Sequence, residues 1–255
     1  MKTVILCGGY GTRLSEETII KPKPMVEIGG YPILWHIMKR YHKFKINNFI
    51  IALGYKGDYI KNYFSNYQIK TNNLSIDFES SELKYLTNNS EKWKVDLIDT
   101  GLNTMTGGRL LRLKPELENE EIFMLTYGDG VSNVNINKLI QFHKSHGKIG
   151  TMTVVRPPVR FGEVFLEQNG LVKKFQEKPQ TQSGWINGGF FVFNPKIFDY
   201  IENDTIMLER APLEKLVLDN ELMAFEHNDF WQCMDTVRDR DYLNNIWESG
   251  NVPWI

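Results

Sequence analysis

The chain opens on a short apolar run, Val4-Ile5-Leu6-Cys7, that stops in the glycine-rich turn Gly8-Gly9-Tyr10-Gly11-Thr12-Arg13-Leu14. Few folds accommodate that junction. An apolar run with no polar alternation fits a strand buried on both faces, as in a parallel sheet. Lacking Cβ atoms, Gly8, Gly9 and Gly11 reach backbone angles closed to other residues and let backbone N–H groups approach an anion. Arg13 adds a permanently charged, forked donor suited to phosphate oxygens. Two familiar phosphate loops are excluded: the dinucleotide fingerprint needs a glycine where Leu14 stands, and the P-loop needs Gly-Lys-Ser/Thr where this chain has Gly11-Thr12-Arg13. By itself the turn fits a plain strand-to-helix connection as well as a ligand site. The segment Lys21-Pro22-Lys23-Pro24-Met25 then sets two lysines in a proline-stiffened stretch, off any regular helix face.

Ile33 to Phe44 carries Ile33, Leu34, Ile37, Met38 and Tyr41 on one helical face, and Asn47-Asn48 ends it. Phe49 to Leu53 reads as a second buried strand closed by Gly54, and Asp58 to Tyr67 as a second helix. Strand, helix, strand, helix predicts a parallel sheet wound by right-handed crossovers. Gln68 to Lys94 is a polar excursion around an edge strand at Leu74 to Phe78, suited to subunit contacts, as is the apolar tail Val252 to Ile255. Val95 to Asp99 is a half-buried strand, and Thr100 to Gly108 a loop before a short helix starting near Arg109. Ile122 to Tyr127 is a buried strand that runs into Gly128-Asp129-Gly130, which places Asp129 at the sheet edge where ligands of open α/β sheets bind. The helix Ile136 to His146 and the strand Thr151 to Val155 follow. From Arg160 to Asn194 the elements shorten (Glu163 to Glu167, Leu171 to Phe175, Trp185 to Phe193), which predicts a mixed or antiparallel extension over one side of the site. Helices at Lys196 to Ile201 and Leu213 to Leu218, a strand pair at Leu222 to Phe225 and Phe230 to Met234, Asp235, and a helix over Asp239 to Trp247 complete the chain. The expected fold class is α/β, a Rossmann-like three-layer arrangement with a mixed, mostly parallel sheet flanked by helices and a small β-rich extension.

With 255 residues, 30 basic against 31 acidic, the chain is expected to be one globular domain with no field that recruits nucleic acid or an anionic membrane. Any polyanion site is local. Cys7 and Cys233 are the only cysteines. They give no disulfide framework or zinc spacing, so both are read as buried thiols in a reducing, cytoplasmic compartment. The first apolar run is too short for a signal-peptide core, and no stretch is long enough to span a bilayer.

The glycine-rich turn and Lys21 to Met25, with Pro32 to Met38, Thr106-Gly107-Gly108-Arg109-Leu110, Tyr127-Gly128-Asp129-Gly130, Phe175-Gln176-Glu177-Lys178-Pro179, Asn187 to Phe191 and Phe230 to Thr236, resemble the sugar-phosphate nucleotidylyltransferases. The resemblance covers nearly the whole chain. It implies a fold of the nucleotide-diphospho-sugar transferase type, with a nucleotide-binding part at about 1–155 and a sugar-phosphate-binding part at about 156–240. It also implies a homo-oligomeric enzyme that serves nucleotide-sugar and surface-polysaccharide synthesis. Such chemistry brings two anionic reactants together, and a glycine cradle, cationic side chains and carboxylates holding Mg²⁺ position them and neutralise charge.

Asp129 and Asp235 each follow an apolar strand and adjoin small residues, so two strand ends can bring them to one point, and two aspartates suffice for Mg²⁺. Taken alone, Asp129 equally suits a turn between glycines, and Asp235 a helix cap. Both match the family's metal-binding positions. The resemblance implies further roles: Arg13 for pyrophosphate, Lys23 for the transferring phosphoryl, and Glu177, Lys178, Asn187 and Gly188 for the sugar phosphate. For the nucleotide it implies Leu6, Cys7, Gly8, Gly9, Tyr10, Gly11, Thr12, Thr104, Arg109 and Gly128. Arg13, Lys23 and Asp129 are the expected catalytic groups. The segment Thr106 to Arg109 is similar to the branch that uses CTP with glucose 1-phosphate. Use of dTTP, UTP or another sugar 1-phosphate, and a silent nucleotide-sugar-binding regulatory role, stay open. His143 and His146 are expected on a solvated helix face, and Trp185, Trp231 and Trp247 in packing. No serine elbow or exposed thiol nucleophile is present, which predicts direct transfer with no covalent enzyme intermediate.

Overall fold

The computed structural model describes residues 1–156, 163–166, 171–176 and 184–255. Fifteen strands occur among them: β1 (Thr3–Leu6), β2 (Glu27–Ile28), β3 (Tyr31–Pro32), β4 (Asn48–Leu53), β5 (Leu74–Asp77), β6 (Glu82–Tyr85), β7 (Lys94–Asp99), β8 (Phe123–Tyr127), β9 (Gly130–Ser132), β10 (Gly150–Val155), β11 (Glu163–Leu166), β12 (Val172–Gln176), β13 (Ile186–Phe193), β14 (Leu222–His227) and β15 (Trp231–Cys233). The helices are α1 (Ser15–Thr18), α2 (Ile33–His42), α3 (Gly57–Ser65), α4 (Tyr67–Thr71), α5 (Thr106–Arg112), α6 (Lys114–Leu117), α7 (Ile136–His146), α8 (Ala211–Leu218) and α9 (Val237–Glu248).

Seven strands form the main sheet in the order β14-β10-β13-β8-β1-β4-β7. Only β13 runs against the rest: its pairings with β8 and β10 are antiparallel, whereas the other four contacts are parallel. Two apolar layers cover the sheet. Ile5, Ile51, Met124 and Phe190 pack on the face that carries α2 and α7, and Val4, Ile50, Leu125 and Phe191 pack on the face under α5, α6 and α8. This alternation along each strand follows from the period of two between side chains, so both faces must be apolar. The expected three-layer, mostly parallel sheet flanked by helices is therefore the observed architecture. Among the described residues no helix is long and apolar enough to cross a membrane.

Several expectations need correction. Of the stretch Trp185 to Phe193, Ile186–Phe193 lies inside the sheet as β13, with Phe190 to Phe193 all buried; the small extension is the antiparallel pair β11–β12. Leu222 to Phe225 and Phe230 to Met234 do not pair with each other. The first is the parallel sheet edge β14, and the second pairs as β15 with β9. The expected edge strand at Leu74 to Phe78 is one arm of a separate hairpin whose other arm, β6, is exposed throughout. Helix α5 begins at Thr106 and takes Gly107 and Gly108 into its first turn. His143 is buried, since it falls seven residues after Ile136 on the inward stripe of α7, and it hydrogen-bonds Thr151 Oγ1 at 2.8 Å. Trp254 is wholly buried against Phe230 and His36, so the C-terminal tail is committed to this chain's own core. Cys233 is only half-buried.

Candidate active site

Parallel pairing aligns Leu6 of β1 with Tyr127 of β8, so the glycine turn and Asp129 leave the sheet side by side. Because β13 is antiparallel, its first residues, Asn187 to Gly189, arrive at the same edge. The pairing of β15 with β9 then carries Asp235 to Asp129, fastened by the Met234 N–H donating to the Asp129 carbonyl at 2.8 Å. Together they enclose a cavity of about 730 Å³.

At its charged end Lys23 Nζ lies 2.6 Å from Asp129 Oδ2 and 2.6 Å from Asp235 Oδ1, and Arg13 Nη1 reaches Asp235 Oδ2 at 2.5 Å. Prolines 22 and 24 bracket Lys23 in a buried 3-10 turn, which fixes its backbone. Burial works against the Lys23 charge, but the carboxylates outweigh it and hold the ammonium above its ordinary range. Asp235 shows the converse: burial opposes its charge, yet Lys23 and Arg13 hold the carboxyl below the usual range. Asp235 does not cap α9. Thr236 does, in a capping box whose Asp239 carboxylate also accepts the Asp235 N–H at 3.0 Å, leaving the Asp235 side chain for the cavity. A ligand atom of Asp129, Asp235 and Cys233 can be chosen so that all three lie within 4.8 Å of one another. Burial pushes the Cys233 thiol far up, so the cluster offers hard carboxylate oxygens and a protonated sulfur.

Arg109 is built differently. Only 4% exposed, its guanidinium donates to the carbonyls of Leu53 at 3.0 Å, Gly101 at 2.7 Å, Gly8 at 2.9 Å and Leu102 at 3.2 Å, and to Thr100 Oγ1 at 2.9 Å. It staples the ends of β1 and β4 to the loop after β7. Gly8 must lack a side chain here, since a Cβ would lie 2.1 Å from Arg109 Nη1. Tyr10 ties the glycine turn to the same loop through its hydroxyl, 2.8 Å from Asn103 Oδ1.

Leu6, Cys7, Gly8, Gly9, Tyr10, Gly11, Thr12, Thr104 and Gly128 also line the cavity. Cys7 is buried, which pushes its thiol up and leaves it inert. Also on the lining, Asn187 Oδ1 accepts the Gly189 N–H at 2.8 Å, and its Nδ2 donates to Tyr127 Oη at 3.2 Å. The Gly188 carbonyl accepts from Trp231 Nε1 at 2.8 Å. Glu177 and Lys178 lie outside the described residues. Sequence reasoning passed over Tyr127, Trp231 and Glu209 as lining groups. Tyr127 had a signal, since it stands directly before Gly128-Asp129-Gly130; Glu209, in a turn before α8, had none.

A nucleotidyl transferase family model matches residues 2–237, and the chain belongs to that family. Its curated relatives are more particular. The chain is 52% identical over 254 residues to the glucose-1-phosphate cytidylyltransferase of Salmonella typhi, covering 100% of this chain and 98% of the relative. It is 45% identical over 255 residues to a probable glucose-1-phosphate cytidylyltransferase of Bacillus subtilis, covering 100% and 99%. The crystal structure of HddC from Yersinia pseudotuberculosis shares the fold, with a TM-score of 0.69 at 24% identity over 96% of this chain and 99% of that one.

Proposed function

We propose that this chain transfers a cytidylyl group from CTP to α-D-glucose 1-phosphate, forming CDP-glucose and releasing pyrophosphate. The observation that carries the reading is 52% identity across the full chain to a relative named for that activity. A phosphate oxygen of the sugar phosphate attacks the α-phosphorus of CTP, a new P–O bond forms, and the bond to the pyrophosphate oxygen breaks. The enzyme's part is in-line placement and charge neutralisation. Backbone N–H groups of Gly8 to Thr12 face the triphosphate, Arg13 holds the leaving pyrophosphate, and Lys23 turns from its aspartates to the transferring phosphoryl group. Leu6 to Gly8 and Thr104 to Arg109 flank the base, with Arg109 shaping the wall from behind. Asn187 and Gly188, with Glu177 and Lys178, take the sugar phosphate, so nucleotide and sugar fall to the 1–155 and 156–240 parts.

Asp129 and Asp235 fit Mg²⁺: two hard donors converge on a point where a cation, the Lys23 ammonium, already sits 2.6 Å from each. Held there by Asp129 and Asp235, Mg²⁺ would supply positive charge that offsets the negative charge building during transfer. The compartment is the cytoplasm, in keeping with two free thiols, and the assembly is a homo-oligomer. Incubating the purified chain with Mg²⁺, glucose 1-phosphate and each nucleoside triphosphate in turn, then measuring pyrophosphate, tests this. CTP is expected to react fastest. Faster turnover with dTTP or UTP would overturn the base assignment, and silence with every triphosphate the enzyme reading.

A further inference from the structure

A carboxylate stands in the cavity away from the metal-binding pair. Glu209 lines the wall between Thr106 and Tyr127, with Oε2 accepting from Thr106 Oγ1 at 2.6 Å and Oε1 accepting from Tyr127 Oη at 2.5 Å. Its mounting is rigid. The Met105 and Gly107 N–H groups donate to the carbonyls of Asp204 and Ile206 at 2.9 and 3.0 Å, and the Leu208 N–H donates to Thr106 Oγ1 at 2.9 Å. Arg112 pairs with Asp204. The chain presses so close that a Cβ on Gly108 would lie 2.3 Å from the Asp204 carbonyl oxygen. The glycines that resemble a helix breaker thus let the turn carrying Glu209 dock on the first turn of α5.

A carboxylate only accepts hydrogen bonds and has about four lone-pair directions. Thr106 and Tyr127 occupy two, and the side chain is exposed to the cavity, so accepting capacity faces the ligand. A phosphate would be repelled there. The complementary moiety is neutral and rich in O–H donors. Tyr127 extends the same surface: its hydroxyl donates to Glu209 and accepts from Asn187 Nδ2, so acceptor, phenol and amide form one continuous polar wall.

Resting on the nucleotidyl transfer proposed above, we infer that Glu209 is a specificity-determining residue that accepts hydrogen bonds from ring hydroxyls of the bound sugar. Both the hexose and the ribose carry such hydroxyls. Calorimetric titration with CDP-glucose, with its 2-, 3-, 4- and 6-deoxyhexose analogues and with its 2′-deoxyribose analogue separates them. In the wild-type protein, deleting the hydroxyl that meets Glu209 is expected to weaken binding about 10- to 100-fold, as for a hydrogen bond to a charged group. In Glu209→Ala that penalty shrinks to within about twofold, while penalties for the other hydroxyls persist. The arm that collapses identifies the ring. Glu209→Leu, which keeps bulk but accepts no hydrogen bond, carries the comparison if the alanine variant fails to fold. The inference is overturned if every analogue keeps its wild-type penalty in the variant, or if none is penalised in the wild type. If CDP-glucose does not bind but another nucleoside diphosphate glucose does, the activity reading falls and the same comparison on that ligand still decides Glu209. If no nucleoside diphosphate sugar binds, both fall.

Discussion

Two cationic stations flank one glycine-rich turn and are held in opposite ways. On the open side Lys23 and Arg13 face formal charges, the carboxylates of Asp129 and Asp235. On the closed side Arg109 faces four carbonyls and a hydroxyl, all neutral. Ion pairs between formal charges that line a cavity can be exchanged for a substrate phosphate or a divalent cation, because incoming charges replace departing ones. A guanidinium surrounded by carbonyls of three strand ends has no such substitute and works as a fixed strut. In the proposed reaction the charge of the first station serves the ligand, whereas that of the second holds backbone segments together.

The strongest test of this contrast is Lys23→Ala. Removing a preorganised cation aimed at developing charge typically costs about 10²- to 10³-fold in kcat, and the loss here is expected at or beyond the upper end, because Asp129 and Asp235 are also left facing each other. Steady-state assay of pyrophosphate release with circular dichroism on the same sample checks it. Near-normal turnover in a folded variant would remove Lys23 from the reaction.

The second contrast concerns stability. Arg109→Lys keeps the charge but replaces a planar fork by a point donor, so the carbonyls of Gly8, Leu53, Gly101 and Leu102 cannot all keep the hydrogen bond they receive from it. A loss on the order of 3 kcal/mol follows from giving up buried hydrogen bonds to a charged group, measured by urea unfolding. Acid divides the stations further. Asp235 has a folded-state carboxyl held below its ordinary range, so its ion pairs stabilise the fold above pH ~4 and fade as pH falls through that lowered value. Among the described residues no carboxylate accepts a hydrogen bond from Arg109, and lysine keeps the charge that Asp99 feels, so the cost of Arg109→Lys should stay level from pH 7 to pH 3, whereas the cost of Asp235→Asn shrinks. Parallel pH dependence in the two variants would erase the distinction.

Much of this arrangement was legible in the sequence, and what was not has physical reasons. The buried strands and α2, α7 and α9 followed from period and length, since burial on one stripe or on both faces writes itself into spacing. Strand direction does not: Phe190 to Phe193 has the same apolar pattern whether it runs with its neighbours or against them. The arm β6, exposed along its whole length, carries no burial signal. Gly107 and Gly108 looked like loop residues because the close approach that demands them comes from Asp204 and Ile206, about a hundred residues away. The cluster of Lys23, Asp129 and Asp235 was named from strand ends and resemblance. The strut role of Arg109 and the place of Glu209 were not visible, because both depend on which backbone segments converge in space.

Arg13→Gln is the finest discriminator, because it changes the same residue type as Arg109 at the other end of one turn. The Arg13 side chain is 74% exposed and forms an ion pair with Asp235. An ion pair so open to water is worth about 1 kcal/mol or less, screened by salt. The substitution should therefore leave the urea midpoint almost unmoved, in contrast to Arg109→Lys. Its effect should appear only when pyrophosphate is bound or leaving. We expect kcat to fall about 10- to 100-fold, with inhibition by added pyrophosphate weakened in step. Loss of stability on the scale of Arg109→Lys, or a kcat within about twofold of the parent, would mean that exposure does not separate the ligand-facing cation from the strut.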